Sequence, residues 1–212
     1  MSVIAPQEPV IALPVRFERS DLATHAGLSD DSLVMLRGSR GPEGFIADLQ
    51  KAGSTADLVI TLAFLLPKRQ AVWWACLVAR LVPGAESSPN DQAALTLAET
   101  WVQTGDDEAR ERAEKAAEAC NHEGPAAWAA MGAFWSGGSI APRGQGTVSP
   151  AAHLTAVATR SALFLATLAP GMRANLNDLS LIGLDLIAGG SGREVCDAIR
   201  MRSVSNSTSG EA

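Results

Sequence analysis

Apolar positions along the chain fall into helix-length groups separated by Pro, Gly and Ser. An amphipathic helix repeats apolar residues every three or four positions, and breaker residues mark its ends. Ser29, Asp30 and Asp31 cap a short helix that ends near Gly38. Pro42 suits the first position of the next helix, Phe45, Ile46 and Leu49 share a face, and Gly53 suits its end. Asp57 opens the segment 58–66, where Val59, Ile60 and Thr61 are β-branched and also suit a buried strand. The helical neighbours favour a helix there. Residues 71–82 are apolar on every side, which predicts a central buried helix. Ser88 caps the next helix, with Pro89 first and Gly105 at its end, and Leu95, Ala98, Trp101 and Val102 at helical spacing.

Residues 106–121 read as a surface helix with a narrow stripe of Ala109, Ala113, Ala116 and Cys120. The Glu108/Arg112 and Glu111/Lys115 pairs add about 0.3 kcal/mol each. Pro125 starts a helix carrying Trp128, Met131 and Trp135, and a Gly/Ser/Pro-rich loop then spans 136–149. Pro150 restarts the chain, and His153, Leu154, Val157, Ala158 and Leu165 lead to Pro170-Gly171. Leu176, Leu179, Ile182, Leu186 and Ile187 mark a further helix that stops at Gly189-Gly190, and 194–200 form a short amphipathic one. The class is therefore all-α, a single compact bundle or stacked helical hairpins of about eight or nine helices.

The domain is expected over 20–202. Residues 1–15 are apolar, but Pro6, Glu8, Pro9 and Pro14 interrupt them and no Lys or Arg precedes Arg16, so they do not read as a signal peptide. Residues 1–19 read as an extended arm with Val10, Ile11, Leu13 and Val15 free to pack on the body; a disordered segment is the alternative. Residues 203–212 are polar and Ser-rich, and read as a disordered tail. No apolar run reaches the roughly 20 residues of a membrane span.

Composition narrows the function classes. The chain has 212 residues, 47% hydrophobic and 19% charged, which excludes wholesale disorder. A formal net charge of -6 argues against nucleic acid as a partner. Cys76, Cys120 and Cys196 are odd in number and far apart, which suits buried thiols in a reducing cytoplasm. The aromatic set is lopsided, with five Trp, five Phe and no Tyr. Trp74, Trp101 and Trp128 are spaced by 27 residues, but their flanking residues do not match as a repeat requires.

Candidate chemistry is sparse. Cys120 and His122 lack the further ligands of a metal site, and Gly137-Gly138-Ser139-Ile140-Ala141 lacks the nucleophile-elbow pattern. No cofactor is implied. The turn Gly189-Gly190-Ser191-Gly192-Arg193 reads as a plain helix linker, with an anion cradle as the lesser alternative. Lys68-Arg69 is a basic pair at a helix start, where the dipole disfavours cations; it reads as a plain solvated pair, with a partner such as an acidic side chain as the alternative. The Trp residues carry most information. Trp73 and Trp74 point about 100° apart on a helix, so only one of them faces the core directly. Trp128 and Trp135 share a face, and Trp135 leads into the long loop.

Three segments also carry a resemblance: Pro67-Lys68-Arg69-Gln70-Ala71-Val72-Trp73-Trp74-Ala75-Cys76, then Ala98-Glu99-Thr100-Trp101-Val102, then Pro125-Ala126-Ala127-Trp128 with Phe134-Trp135-Ser136-Gly137-Gly138-Ser139-Ile140-Ala141-Pro142. They resemble an uncharacterised proteobacterial family of helical proteins of unknown function, over roughly 62–190. The resemblance implies an association with type VI secretion genes and an accessory or adaptor role. It brings no catalytic residues.

The expectation is a non-enzymatic, cytoplasmic interaction protein with a protein partner. Its candidate surface is Trp73, Trp74, Trp128, Trp135, Ser136, Gly137, Gly138, Ser139 and Arg143. The alternative is an enzyme or small-molecule binder with a pocket near Trp73, Trp128, Trp135 and the 136–149 loop. A homo-oligomer packed through Ala109, Ala113 and Ala116 is the third reading.

Overall fold

A computed structural model describes residues 10–84, 88–142 and 144–208, the last six of these by their backbone alone. Among the described residues eleven helices follow one another and no strand occurs. They are α1 Arg19–His25, α2 Asp30–Gly38, α3 Pro42–Ala52, α4 Thr55–Leu65, α5 Lys68–Ala79, α6 Pro89–Thr104, α7 Asp107–Ala119, α8 Gly124–Phe134, α9 Leu154–Leu168, α10 Leu176–Ile187 and α11 Arg193–Thr208. The all-α expectation holds.

Most ends are set by the residues that predict them. The Ser29, Ser88 and Asp106 side chains accept from the N–H groups of Ser32, Asp91 and Ala109, filling first-turn donors that the helix leaves unpaired. Asn175 and Asp178 form a reciprocal capping box on α10. Gly53 and Gly105 close α3 and α6 in the left-handed region, at φ of 69° and 71°.

Several boundaries differ from the sequence pattern. The β-branched run at 59–61 is helical, because α4 is buried on every face among α3, α9 and α10. Tertiary burial there overrides local propensity. α5 begins at Lys68 rather than residue 71, since Pro67 fixes the cap position. α9 starts at Leu154, four residues after Pro150. α1 is a short helix that the pattern did not mark, and the eleven helices among the described residues exceed the eight or nine expected. α11 runs on to Thr208, through much of the stretch expected to be a disordered tail. Ser and Asn lower helix propensity without breaking a helix already started. Residues 209–212 lie outside the described residues, as do 1–9 of the arm.

The described part of the arm packs on the body. Ile11, Leu13, Val15 and Phe17 are half-buried while the residues between them are exposed, the period-two pattern of extended chain. Ala12 and Leu13 N–H groups donate to the Ile187 carbonyl, and Arg16 N–H donates to Leu65. Val10 stays 68% exposed.

Two apolar clusters share two helices, α5 and α9. The first gathers α1–α4, α10 and α11; the second gathers α6, α7 and α8. α5 runs between them, giving Ala71, Trp74 and Val78 to the first and Val72, Ala75, Cys76 and Ala79 to the second. That division is why the segment is apolar all round. α9 divides in the same way, with Leu163 and Ala166 on one side and Ala158 and Ala162 on the other. The Ala109, Ala113 and Ala116 stripe is buried inside the second cluster, packed on the neighbouring α6 and α8. It is therefore spent within the fold and does not offer a face for a second copy.

Candidate functional site

The adjacent tryptophans of α5 separate as their angle requires. Trp74 is fully buried, with its ring against Leu62 and the backbone of Gly183. It belongs to the core and is removed from the candidate surface. Its indole N–H has no acceptor among the described residues. Trp73 is half-buried and donates from Nε1 to the Ser191 carbonyl at 2.8 Å. The Arg193 guanidinium lies 4.7 Å from its ring centroid, a cation–π distance.

Phe134-Trp135-Ser136-Gly137-Gly138-Ser139 is a tightly anchored turn at the end of α8. Arg110, only 3% exposed, enters it from α7. It donates to the carbonyls of Phe134 at 3.2 Å and Ser139 at 3.4 Å, and pairs with Asp107 at 2.9 Å. Lys68 donates to the Ser136 carbonyl at 2.7 Å. Both cations thus meet the carbonyl end of a helix, the favourable end for positive charge. Lys68 is thus not the plain solvated cation expected, and the partner it finds is a backbone carbonyl rather than an acidic side chain. Gly138 is required twice over: its φ is 63°, and an added Cβ would lie under 3.0 Å from three atoms of the Arg110 guanidinium. Further on, the Ser139 hydroxyl accepts from the N–H groups of Ala141 and Val148. The loop is therefore held by its own bonds together with the two cations from α5 and α7. Arg143 lies outside the described residues.

The glycine turn after α10 does not offer an empty cradle. Asp185 turns its carboxylate into it and accepts from Gly192 N–H at 2.7 Å, and a Cβ on Gly190 would collide with that carboxylate. The chain supplies its own anion there.

The candidate residues do not converge on one pocket. Trp73 lines a polar groove of about 250 Å³ with Arg80, Glu99, Gln103, Asp197 and Arg200. The Arg80–Glu99 pair, bonded through both carboxylate oxygens, forms part of its wall. Ser139 and Pro142 line a separate groove with Glu111, Glu114 and Glu118. Trp128 lines a third, an open apolar groove of about 470 Å³ between α4, α8 and α9. Its other walls are Ile60, Arg160, Ser161, Phe164, Leu165 and Leu168, and Leu168 is 79% exposed. Trp135 braces Trp128 edge-to-face, with ring centroids 6.1 Å apart. Sequence reasoning found Trp128 but missed Phe164 and Leu168. Leu168 lies one turn after Phe164 on α9, and that apolar spacing was the available signal.

The three cysteines are free and buried. Burial pushes the Cys120 and Cys196 thiols up to about 11 and Cys76 higher still. A thiol held protonated is a poor nucleophile.

A family model described as a family of unknown function (DUF6931) matches residues 45–187. No curated protein and no solved structure gives a significant match.

Proposed function

The chain belongs to DUF6931, a family of unknown function, and we propose that it works as a non-enzymatic interaction module whose docking surface is the groove at Trp128. One observation supports this reading above the others. Leu168, Leu165, Phe164 and Ile60 present apolar surface around a half-buried tryptophan, in a concavity open to solvent. Partly exposed Trp and apolar neighbours are what protein interfaces draw their binding energy from. The reading takes the protein to be bacterial and cytoplasmic, a compartment that suits three free thiols. It also takes the role to be accessory to a secretion system, which rests on the resemblance of the Trp-Trp and Phe-Trp-Ser-Gly-Gly-Ser segments. The test is affinity purification of wild type beside Leu168→Asp. This reading expects one stoichiometric partner on the wild type and none on the variant, at unchanged melting temperature. Equal recovery from both would remove the groove as the docking surface.

A second reading, a small-molecule binder, draws on the Trp73 groove, where Arg193 finds no ion pair among the described residues. It expects Arg193→Ala to abolish ligand-induced quenching of tryptophan fluorescence while leaving partner capture intact.

A further inference from the structure

We infer that the groove at Trp128 receives an amphipathic helix of a partner protein, with its apolar face in the groove and a carboxylate beside Arg160. The inference rests on the docking role proposed for that groove and adds the chemistry of the occupant.

Shape and backbone bonding select a helix. Arg160, Ser161, Phe164, Leu165 and Leu168 line the groove from α9, at positions i, i+1, i+4, i+5 and i+8. Such positions share one face of a helix and span about 12 Å along its axis. Ile60 of α4 and Trp128 of α8 supply the other walls. A trough of that length takes the stripe that an amphipathic helix presents over two turns. An extended segment is the rival occupant. It needs an unpaired strand edge to satisfy its N–H and C=O groups. Every wall residue lies in a helix, and no strand occurs among the described residues. A helix makes its own backbone bonds and needs only side-chain surface.

Charge selects an acid on that helix. Arg160 is the only charged residue among the walls. It is half-buried, donates from Nη1 to the Ala26 carbonyl, and makes no ion pair among the described residues. Asp57, one turn before Ile60 on α4, is engaged elsewhere: its carboxylate accepts from the Ser29 and Ser32 hydroxyls. A cation left unmatched beside an apolar surface attracts a negative charge, more strongly once docking excludes water. A second copy of this chain is the poorer fit. A two-fold interface pairs the same patch with itself, so it would bring another Arg160 and no carboxylate.

The experiment has two stages. Photo-crosslinking in cells from position 168 of the full chain, followed by mass spectrometry of the adduct, maps the segment that lies in the groove. That segment is then synthesised as a labelled peptide and titrated against the full chain by fluorescence anisotropy, once unchanged and once with its acid converted to the amide. The mapped segment is expected to carry apolar residues at helical spacing with an Asp or Glu within one turn of them. Its circular dichroism is expected to turn helical on binding. The amide form is expected to bind about threefold to tenfold more weakly, with a gap that closes at high salt. Arg160→Gln is expected to weaken the acidic peptide by the same factor and to leave the amide form unchanged. Because Arg160 also holds the Ala26 carbonyl, the two peptides on wild type carry the charge test without altering the fold. An adduct within this chain's own sequence, a mapped segment that binds without becoming helical, or equal affinities of the acid and amide peptides would overturn the inference and leave the docking surface standing. No adduct from position 168 would remove the docking surface and the inference together.

Discussion

Trp74 meets the backbone of α10 only because residue 183 is glycine. A Cβ there would lie 2.7 Å from the indole ring and 3.0 Å from Leu62, both inside the core. Gly183→Ala is expected to cost about 1–3 kcal/mol in urea unfolding, the usual penalty of an overpacked core. Thr159 gives the opposite sign. It is fully buried and its hydroxyl is unpartnered, so Thr159→Val is expected to hold or raise stability by up to about 1 kcal/mol. The thiols add a pH dependence. In the folded chain Cys196 holds its proton up to about pH 11 and Cys76 beyond that, against an ordinary value near 9.0. The native state then carries more protons than the unfolded one above about pH 9, so this contribution to stability is present below that pH and falls as pH rises through the window. The urea midpoint should drop between pH 9 and pH 11, and Cys76→Ala should flatten the drop. At residue scale the sequence was partly legible. The angle between Trp73 and Trp74 implied one core and one outer ring, but not which was which. That choice depends on Gly183, more than a hundred residues away.

At the scale of elements, helix ends were the most readable feature. Ser29, Gly53, Ser88, Gly105 and Asp106 act through bonds to residues within a few positions, and Pro42 through its own fixed φ, so their roles are written locally. The turn after α8 was not readable in this way. Its Ser-Gly-Gly-Ser run looks like a mobile loop, yet Arg110 from α7 and Lys68 from α5 hold its carbonyls. Nothing in the spacing of the chain announces that two distant cations end there. Arg110→Met leaves the Phe134 and Ser139 carbonyls without their charged donor. It is expected to cost about 2–3 kcal/mol and to speed amide hydrogen exchange in the segment 136–142. Unchanged exchange there would mean that the turn holds itself. Lys68 also shows where composition and element meet: the same side chain closes the end of α8 and lines a cavity at the start of α5.

For the whole molecule, two apolar clusters meet across α5 and α9, and the lopsided aromatic set is divided by that arrangement. Trp74 and Trp101 are buried, one in each cluster. Trp73 and Trp128 each line a separate groove, and Trp135 braces Trp128. Amphipathic spacing made the all-α class legible, because each helix must bury a stripe. A single shared site was not there to be read, because sequence proximity to the 136–149 loop does not decide which side of a bundle a ring faces. The central claim is that the α4–α8–α9 groove is where a partner docks. Photo-crosslinking in cells, with a benzophenone side chain at position 168 and a control at the exposed Val34, tests it most directly. The account predicts one adduct of defined mass from position 168, absent at 34 and lost when Trp128→Ala is added. No adduct at 168, or the same adduct from both positions, would contradict it.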